Sequence, residues 1–328
     1  MKLSIVILCW NDLKVISDCV RSIFANTRLV DFEVIVSDNG STDGSPEYLE
    51  KHFSKIRVIR NGANLGFAKG NNAAIQASRG ELVLILNPDT IIHDGSLDRW
   101  VEFAERHPQA GAFGCRVLNA DGSYQVTARP FPTVTRYLMD ALLLRFLGRL
   151  TDRLSDAYEG WNGDTEREID WQSGCCVMFR GVVLREVGGF DEQFFYTYEE
   201  VDLCYRVRKA GYPILFTPEA TITHLLGQSV KRFRLTFEIE SYRNRYRYFY
   251  KHFGARGAIR CRRVSLARLR LRQAIYRALN LVKSSEPLKE RLELYAALAC
   301  WNKRLNPVSF AERGEEPDVG SSTASGGT

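Results

Sequence analysis

The chain has 328 residues, 45% of them apolar, a formal charge of +6 and eight cysteines. Such a composition excludes a disordered or fibrous protein and suits one large domain or two small ones. The cysteines, at 9, 19, 115, 175, 176, 204, 261 and 300, form no Cys-x-x-Cys pair or regular framework, so reduced, cytosolic thiols are expected.

The opening MKLSIVILCWND is apolar for too few residues to span a bilayer and lacks a small-residue cleavage site, so it reads as a first strand and not a signal peptide. Leu13, Ile16, Val20, Ile23 and Phe24 then recur at helical spacing, and FEVIVSDN forms a second strand. Ser45 and Pro46 mark a helix N-terminus, with proline where no amide hydrogen is missed. IRVIRN is a third strand, FAKGNNAAIQASR a helix expected to be capped by Gly80, and ELVLILN a fourth strand apolar enough to be buried on both faces. The helix SLDRWVEFAERH stops before Pro108. This β/α alternation predicts a doubly wound, mostly parallel sheet that binds ligands at the carboxyl ends of its strands.

Polar groups gather at those ends. Trp10-Asn11-Asp12 follows the first strand, Asp38-Asn39-Gly40 lies in SDNGSTDGS after the second, RNGANLGFAKGNN follows the third, and Asn87-Pro88-Asp89 the fourth. Asp, Asn, Gly and Ser are also ordinary turn formers. Their position at strand ends argues for more: the Asp38 carboxylate suits a base N–H, and the glycines permit close backbone approach to a ligand. Neither Gly-x-Gly-x-x-Gly nor a P-loop is present, so a nucleotide site of another design is required.

In order and spacing, SIVILCWN, VSDNGSTDGS, NLGFAKGNN, LILNPDT, WQSGCCVMFRGVVLREVGGFDEQFF and YEEVDLCYRVRKAGY resemble family 2 glycosyltransferases, over roughly residues 1–255. The similarity is greatest to rhamnosyltransferase-like members that build bacterial surface polysaccharides. It implies an α/β protein of GT-A fold: a doubly wound, mostly parallel sheet with helices on both faces, plus a basic helical C-terminal extension. The expected organisation is a catalytic domain over 1–230, with a nucleotide-binding half (1–119) and an acceptor-binding half (120–230). A helical extension over 231–312 and a disordered tail over 313–328 follow.

The resemblance also implies roles. Trp10, Asn11, Asp38, Asn39, Gly40, Asn64, Gly66, Lys69, Asn87, Asp89, Trp171 and Gly174 would line the nucleotide-sugar site. Asp89 stands where the family carries an Asp-x-Asp signature, so one carboxylate remains to hold Mg²⁺ or Mn²⁺ on the donor diphosphate. His224 would be a second ligand; His52, His93, His107 and His252 match no motif. Of the acids opening the helix EEVDLCYRVRKAG, Glu200 matches the family's base and Glu199 is a substitute, though acids in a first turn also serve the helix dipole. Asp202 orients the loop or pairs with Arg206 at i+4. Trp171 is open between a sugar-stacking platform and a core anchor. Asp191, after the turn at Gly188-Gly189, is expected near the acceptor. A single base and no second carboxylate placed as nucleophile favour inversion.

The expected donor is dTDP-L-rhamnose, with a UDP-hexose or UDP-N-acetylhexosamine as alternative, and the acceptor a glycan or polyprenyl-diphosphate-linked sugar. A nucleotidylyltransferase would need a glycine-rich loop where Cys9-Trp10-Asn11-Asp12 stands. A non-catalytic scaffold would not need Asp38, Asp89, Glu200 and His224 together. Residues 120–168 read as an acceptor-side excursion or lid, whose MDALLLRFLGRL either touches membrane or packs. Beyond residue 230, arginines interleave with aromatic and aliphatic residues without a nucleic-acid motif. Peripheral attachment to an anionic membrane surface, on the cytoplasmic face, is preferred over simple helix packing. There is no Gln-x-x-Arg-Trp of processive synthases, so one sugar per visit is expected.

Overall fold

The computed structural model describes residues 1–142, 155, 157–158, 160–225 and 234–315. The latter part of MDALLLRFLGRL and the tail from residue 316 lie outside them. The chain divides into two compact units, one of Met1–Phe131 with Asp156–Gln228, the other of Pro132–Ser155 with Ser229–Thr328.

The first unit is built on β1 (Leu3–Cys9), α1 (Leu13–Asn26), β2 (Phe32–Asp38), α2 (Ser45–His52), β3 (Ile56–Arg60), α3 (Gly66–Ala77), β4 (Leu82–Leu86), β5 (Thr90–Ile92), α4 (Ser96–Arg106) and β6 (Ala112–Leu118). After β7 (Ala128–Arg129) it resumes with β8 (Arg167–Ile169), β9 (Trp171–Gln172), β10 (Cys176–Arg180), α6 (Gly181–Glu186), α7 (Glu199–Lys209) and β11 (Ile214–His224). The main sheet runs β3-β2-β1-β4-β10-β6-β11-β5, with β8 beside β11. β3, β2, β1 and β4 are parallel, as is β6 with β11, whereas β10 lies antiparallel between β4 and β6.

Both faces are covered, which is why the inner strands are apolar throughout. Ile5 and Ile7 pack with Ile16, Val20 and Ile23 of α1 and Trp100 of α4. Val6, one residue out of phase, joins Ala68 and Ala74 of α3 and Leu203 and Val207 of α7 on the other face. Each such aliphatic burial contributes about 1.5–3 kcal/mol. β11 shifts register against β6 between Thr217 and Thr221, and Pro218, which has no ladder donor, falls in that irregularity.

Gly80 is not the cap of α3. The helix ends at Ala77 with an extended Ser78, and Gly80 instead lies so close to β1 that an added Cβ would sit 2.5 Å from the Ser4 amide nitrogen.

The second unit comprises α5 (Val134–Ala141), α8 (Arg234–Val282), α9 (Glu286–Arg304) and α10 (Pro307–Arg313), with α8 broken at Gly254, whose φ is 67°. Buried polar side chains link its helices. The Tyr246 hydroxyl donates to Asn302, whose amide donates to the Leu298 carbonyl at 2.9 Å. The Tyr137 and Ser265 hydroxyls lie 3.1 Å apart, joining α5 to α8.

Candidate active site

The strand directions bring distant segments to one edge of the sheet. The carboxyl ends of β1, β2, β3 and β4 coincide there, and antiparallel β10 contributes its start, with Cys176 opposite Leu86. β11 ends at the same edge and pairs antiparallel with β5, His224 opposite Thr90. That register sets His224 beside the residue preceding Thr90. The His224 Nε2 and the Asp89 carboxylate are 3.1 Å apart, and the Leu225 amide donates to the Asp89 carbonyl at 2.9 Å.

Asp89 and His224, singled out separately in the sequence, thus form one pair. Gln125, which sequence reasoning missed, faces the other imidazole nitrogen, its Oε1 lying 3.1 Å from Nδ1. Burial lowers the pKa of His224, but hydrogen bonding to Asp89 and Cys175 outweighs it and raises the value to about 10. Among the described residues no group of three or more His, Cys, Asp or Glu is arranged to hold a metal. One hard oxygen donor and one imidazole nitrogen fit a cation that completes its shell with phosphate oxygens and water.

The neighbouring loops are fastened to one another. Asn11, at φ 58°, accepts from the Thr42 amide at 2.8 Å through its side chain. Asp38 is 3% exposed and accepts from the amides of Gly40 and Ser41. Asn39 donates to the Gly66 carbonyl at 3.0 Å, and Asn64 accepts from the Gly66 amide at 3.0 Å. Gly40 and Gly66 both have positive φ, and a Cβ at Gly66 would lie 2.6 Å from the Phe195 ring. Much of this glycine and asparagine signature therefore shapes the loops. Trp10 and Lys69 stand exposed. The Asn87 amide donates to the Cys175 carbonyl at 2.9 Å. Trp171 is half-buried and donates to the Pro130 carbonyl at 3.0 Å, packed with the core beneath α7.

Asp12, between β1 and α1, is half-buried. Burial raises its pKa to about 6, against the Trp10 amide and with the repulsion of Asp89 and Asp43.

The acidic helix α7 begins after Thr197 and Tyr198, both at positive φ (69° and 71°), a conformation that costs a non-glycine residue of order 1–3 kcal/mol and clusters at functional sites. Asp202 is fully buried and pairs with Arg206 Nε at 2.8 Å, the i+4 arrangement anticipated. Arg206 also donates to the Gly189 carbonyl at 2.6 Å, which fixes the turn before the helix. Glu199 is 4% exposed and Glu200 half-buried, and in each the Oε2 atom lacks a hydrogen-bond partner among the described residues. Burial raises both pKa values; the charge of Glu200 pushes Glu199 further, while the amides of Gly174 and Val201 hold Glu200 back. Gly174 leaves room for this contact, since its Cβ position lies 3.7 Å from Glu200 Cβ and 3.2 Å from the Phe67 ring. The edge thus combines an aspartate–histidine pair with a partly buried carboxylate of raised pKa.

Residues 4–185 match the family model described as Glycosyl transferase family 2. Over 212 residues the chain is 35% identical to the N-acetylglucosaminyl-diphospho-decaprenol L-rhamnosyltransferase of Mycobacterium tuberculosis (strain ATCC 25618 / H37Rv), spanning 61% of this chain and 68% of that protein. It is 24% identical to rhamnosyltransferase WbbL of Escherichia coli (strain K12), over 63% of this chain and 78% of the relative. The mannosyltransferase PcManGT of Pyrobaculum calidifontis, solved with GDP-Man and Mn²⁺, superposes with a TM-score of 0.55 at 17% identity, covering 96% of this chain and 88% of that one. At that identity the likeness is one of fold. The chain belongs to glycosyl transferase family 2, in its rhamnosyltransferase-like group, and is a glycosyltransferase.

Proposed function

We propose that this family 2 enzyme transfers L-rhamnose from dTDP-L-rhamnose, with inversion, to a glycan or polyprenyl-diphosphate-linked acceptor during synthesis of a bacterial surface polysaccharide. The observation that carries the reading is the presence of the Asp89–His224 pair and Glu200 in a chain 35% identical to a rhamnosyltransferase named for a decaprenyl-diphosphate-linked acceptor.

Residues 1–119 form the nucleotide-binding half and 120–230 the acceptor-binding half, from which Trp171, Gly174 and His224 also reach the donor. Trp10, Asn11, Asp38, Asn39, Gly40, Asn64, Gly66 and Lys69 bind the nucleotide, Asn87 and Asp89 face its diphosphate, and Trp171 and Gly174 border the sugar. Asp89 and His224 would hold a divalent cation, Mg²⁺ or Mn²⁺, which would neutralise charge on the departing diphosphate. Glu200 accepts the proton of the acceptor hydroxyl as the new bond forms at the anomeric carbon and the bond to the diphosphate breaks. Its partly desolvated position supports this, because a raised pKa brings a carboxylate closer to the working range of a base. Asp202, neutralised by Arg206, positions the helix. No second free carboxylate is assigned as nucleophile, which supports a single displacement.

The acceptor's lipid would keep the enzyme at the cytoplasmic face of an anionic membrane. Among the described residues no helix is long and apolar enough to cross a bilayer, so attachment would be peripheral.

Calorimetric titration with dTDP, UDP and GDP, each with and without Mg²⁺ or Mn²⁺, tests the donor. Metal-dependent preference for dTDP is expected. Preference for UDP discards rhamnose and keeps the enzyme class; no binding of any overturns the proposal.

A further inference from the structure

The arginines of α8 after Gly254 sort into two sets. Those on the inner half are engaged: Arg262 donates to the carbonyls of Asn302 and Lys303 at 2.9 and 2.7 Å, Arg268 pairs with Asp140 at 3.2 Å, and Arg272 donates to the Tyr295 hydroxyl at 3.4 Å. Cys261, Val264, Ser265 and Leu269 are buried on that same side.

The second set is Arg256, Arg260, Arg263, Arg270 and Arg277. All five are exposed, and none makes an ion pair or side-chain hydrogen bond with a described residue. Ala267 and Ala274 fill the missing positions of the same repeat. Steps of three or four residues place the five on one face, within an arc of about 100° and a length of about 30 Å. No acidic residue occurs between Glu240 and Glu286, so nothing on the helix neutralises the row. Leu281 lies on the same face one turn beyond Arg277 and is 89% exposed; the adjacent Val282 is 87% exposed.

We infer that this face of α8, the arginine row ending in Leu281 and Val282, is the surface by which the protein docks on an anionic lipid bilayer. The inference deepens the peripheral attachment proposed above and depends on charge and apolar exposure, not on the sugar chemistry. Guanidinium groups match headgroup phosphates in a row too long for a single small anion, and the two aliphatic side chains suit the acyl boundary. Aromatic platforms, which single-stranded nucleic acid would use, are missing from the row; Tyr276, the aromatic residue nearest to it, is half-buried with its ring centroid 5.4 Å from that of Tyr295.

The test is co-sedimentation of the full chain with vesicles of phosphatidylcholine alone or with about one-third phosphatidylglycerol. Wild type should bind the anionic vesicles only, and increasingly weakly as salt rises. Each arginine near the surface is worth about fivefold in binding, so Arg256→Glu/Arg263→Glu/Arg270→Glu should lose at least about a hundredfold. A control with the same charge change at exposed Lys51, Lys55 and Lys209 should retain most of it, and Leu281→Ser should weaken binding by less than the arginine triple. Because the five arginines hold no partner among the described residues, the triple variant should melt with wild type. Equal binding by the triple variant and wild type, equal binding to neutral vesicles, or equal loss in the lysine control overturns the proposal. So does binding of nucleic acid, but not vesicles, at the same salt. Failure of the donor titration leaves these readouts untouched, so the two readings fail separately.

Discussion

Glu200→Gln separates the chemistry of the acidic helix from its stability. The substitution keeps size and shape: the amide oxygen can still accept from the Gly174 and Val201 amides that contact the carboxylate, while the NH₂ group takes the place of an Oε2 that has no partner among the described residues. What disappears is the proton acceptor. General bases contribute about 10²–10⁴-fold, so kcat should fall by that factor, equivalent to about 3–5 kcal/mol of transition-state stabilisation. Glu199, one position earlier and 4% exposed, should not rescue it, because burial, the larger of the two causes that raise its pKa, persists after the substitution removes the Glu200 charge. Stability should move the other way. Glu200 has a raised pKa in the folded protein, so the folded state binds more protons than the unfolded one, and the group's contribution to stability declines as pH rises above the ordinary glutamate range. The melting temperature of wild type should therefore drop relative to Glu200→Gln between pH 5 and neutrality in thermal scans. Near-normal kcat in Glu200→Gln, with a dead Glu199→Gln, would exchange the roles of the two acids. Parallel melting profiles across that pH range would refute the desolvation argument.

Asp89→Ala should abolish transfer and remove the metal-dependent part of nucleoside diphosphate binding, leaving any metal-free binding within about twofold of wild type by calorimetry; unchanged metal dependence would sink the ligand assignment. Gly66→Ala places a methyl 2.6 Å from the Phe195 ring and 2.7 Å from its carbonyl oxygen at φ +81°; a loss of about 2 kcal/mol or more in denaturant unfolding is expected, with a higher KM for the donor. Arg206→Leu leaves the fully buried Asp202 without its 2.8 Å partner and should cost about 3–5 kcal/mol, read as a lower urea midpoint; a change under 1 kcal/mol would mean that Asp202 is neutral in the folded protein.

Long-range pairing accounts for most of what the sequence does not display. The proximity of Asp89 and His224 depends on β5 and β11, segments about 130 residues apart whose register puts Thr90 opposite His224. Gln125 carries no local signal at all, since it is an ordinary polar residue after β6 until the sheet brings it to His224. Gly80 looked like a helix cap by spacing, yet the tight passage beside Ser4 decides its place. The basic segment beyond residue 240 illustrates the same limit: charge density was evident, but only helix packing divides Arg262, Arg268 and Arg272, which bond inward, from Arg256, Arg260 and Arg263, which do not.

Local physics, by contrast, is written in the chain. Apolar runs of strand length, helical periodicity in α1 and α4, proline at the start of α2 and the i+4 pair of Asp202 with Arg206 are contacts among near neighbours, and the amino-acid order alone determines them. The asparagine and glycine loops at the strand ends are local only in part: Asp38 closes its own turn on Gly40 and Ser41, whereas Asn11 reaches Thr42 and Asn39 reaches Gly66. The order of strands, the reversed β10, the meeting of Asp89, His224 and Glu200 at one edge, and the sorting of arginines by face were decided only in the tertiary structure. They depend on which apolar faces bury one another, and that free energy belongs to pairs of segments far apart in the sequence.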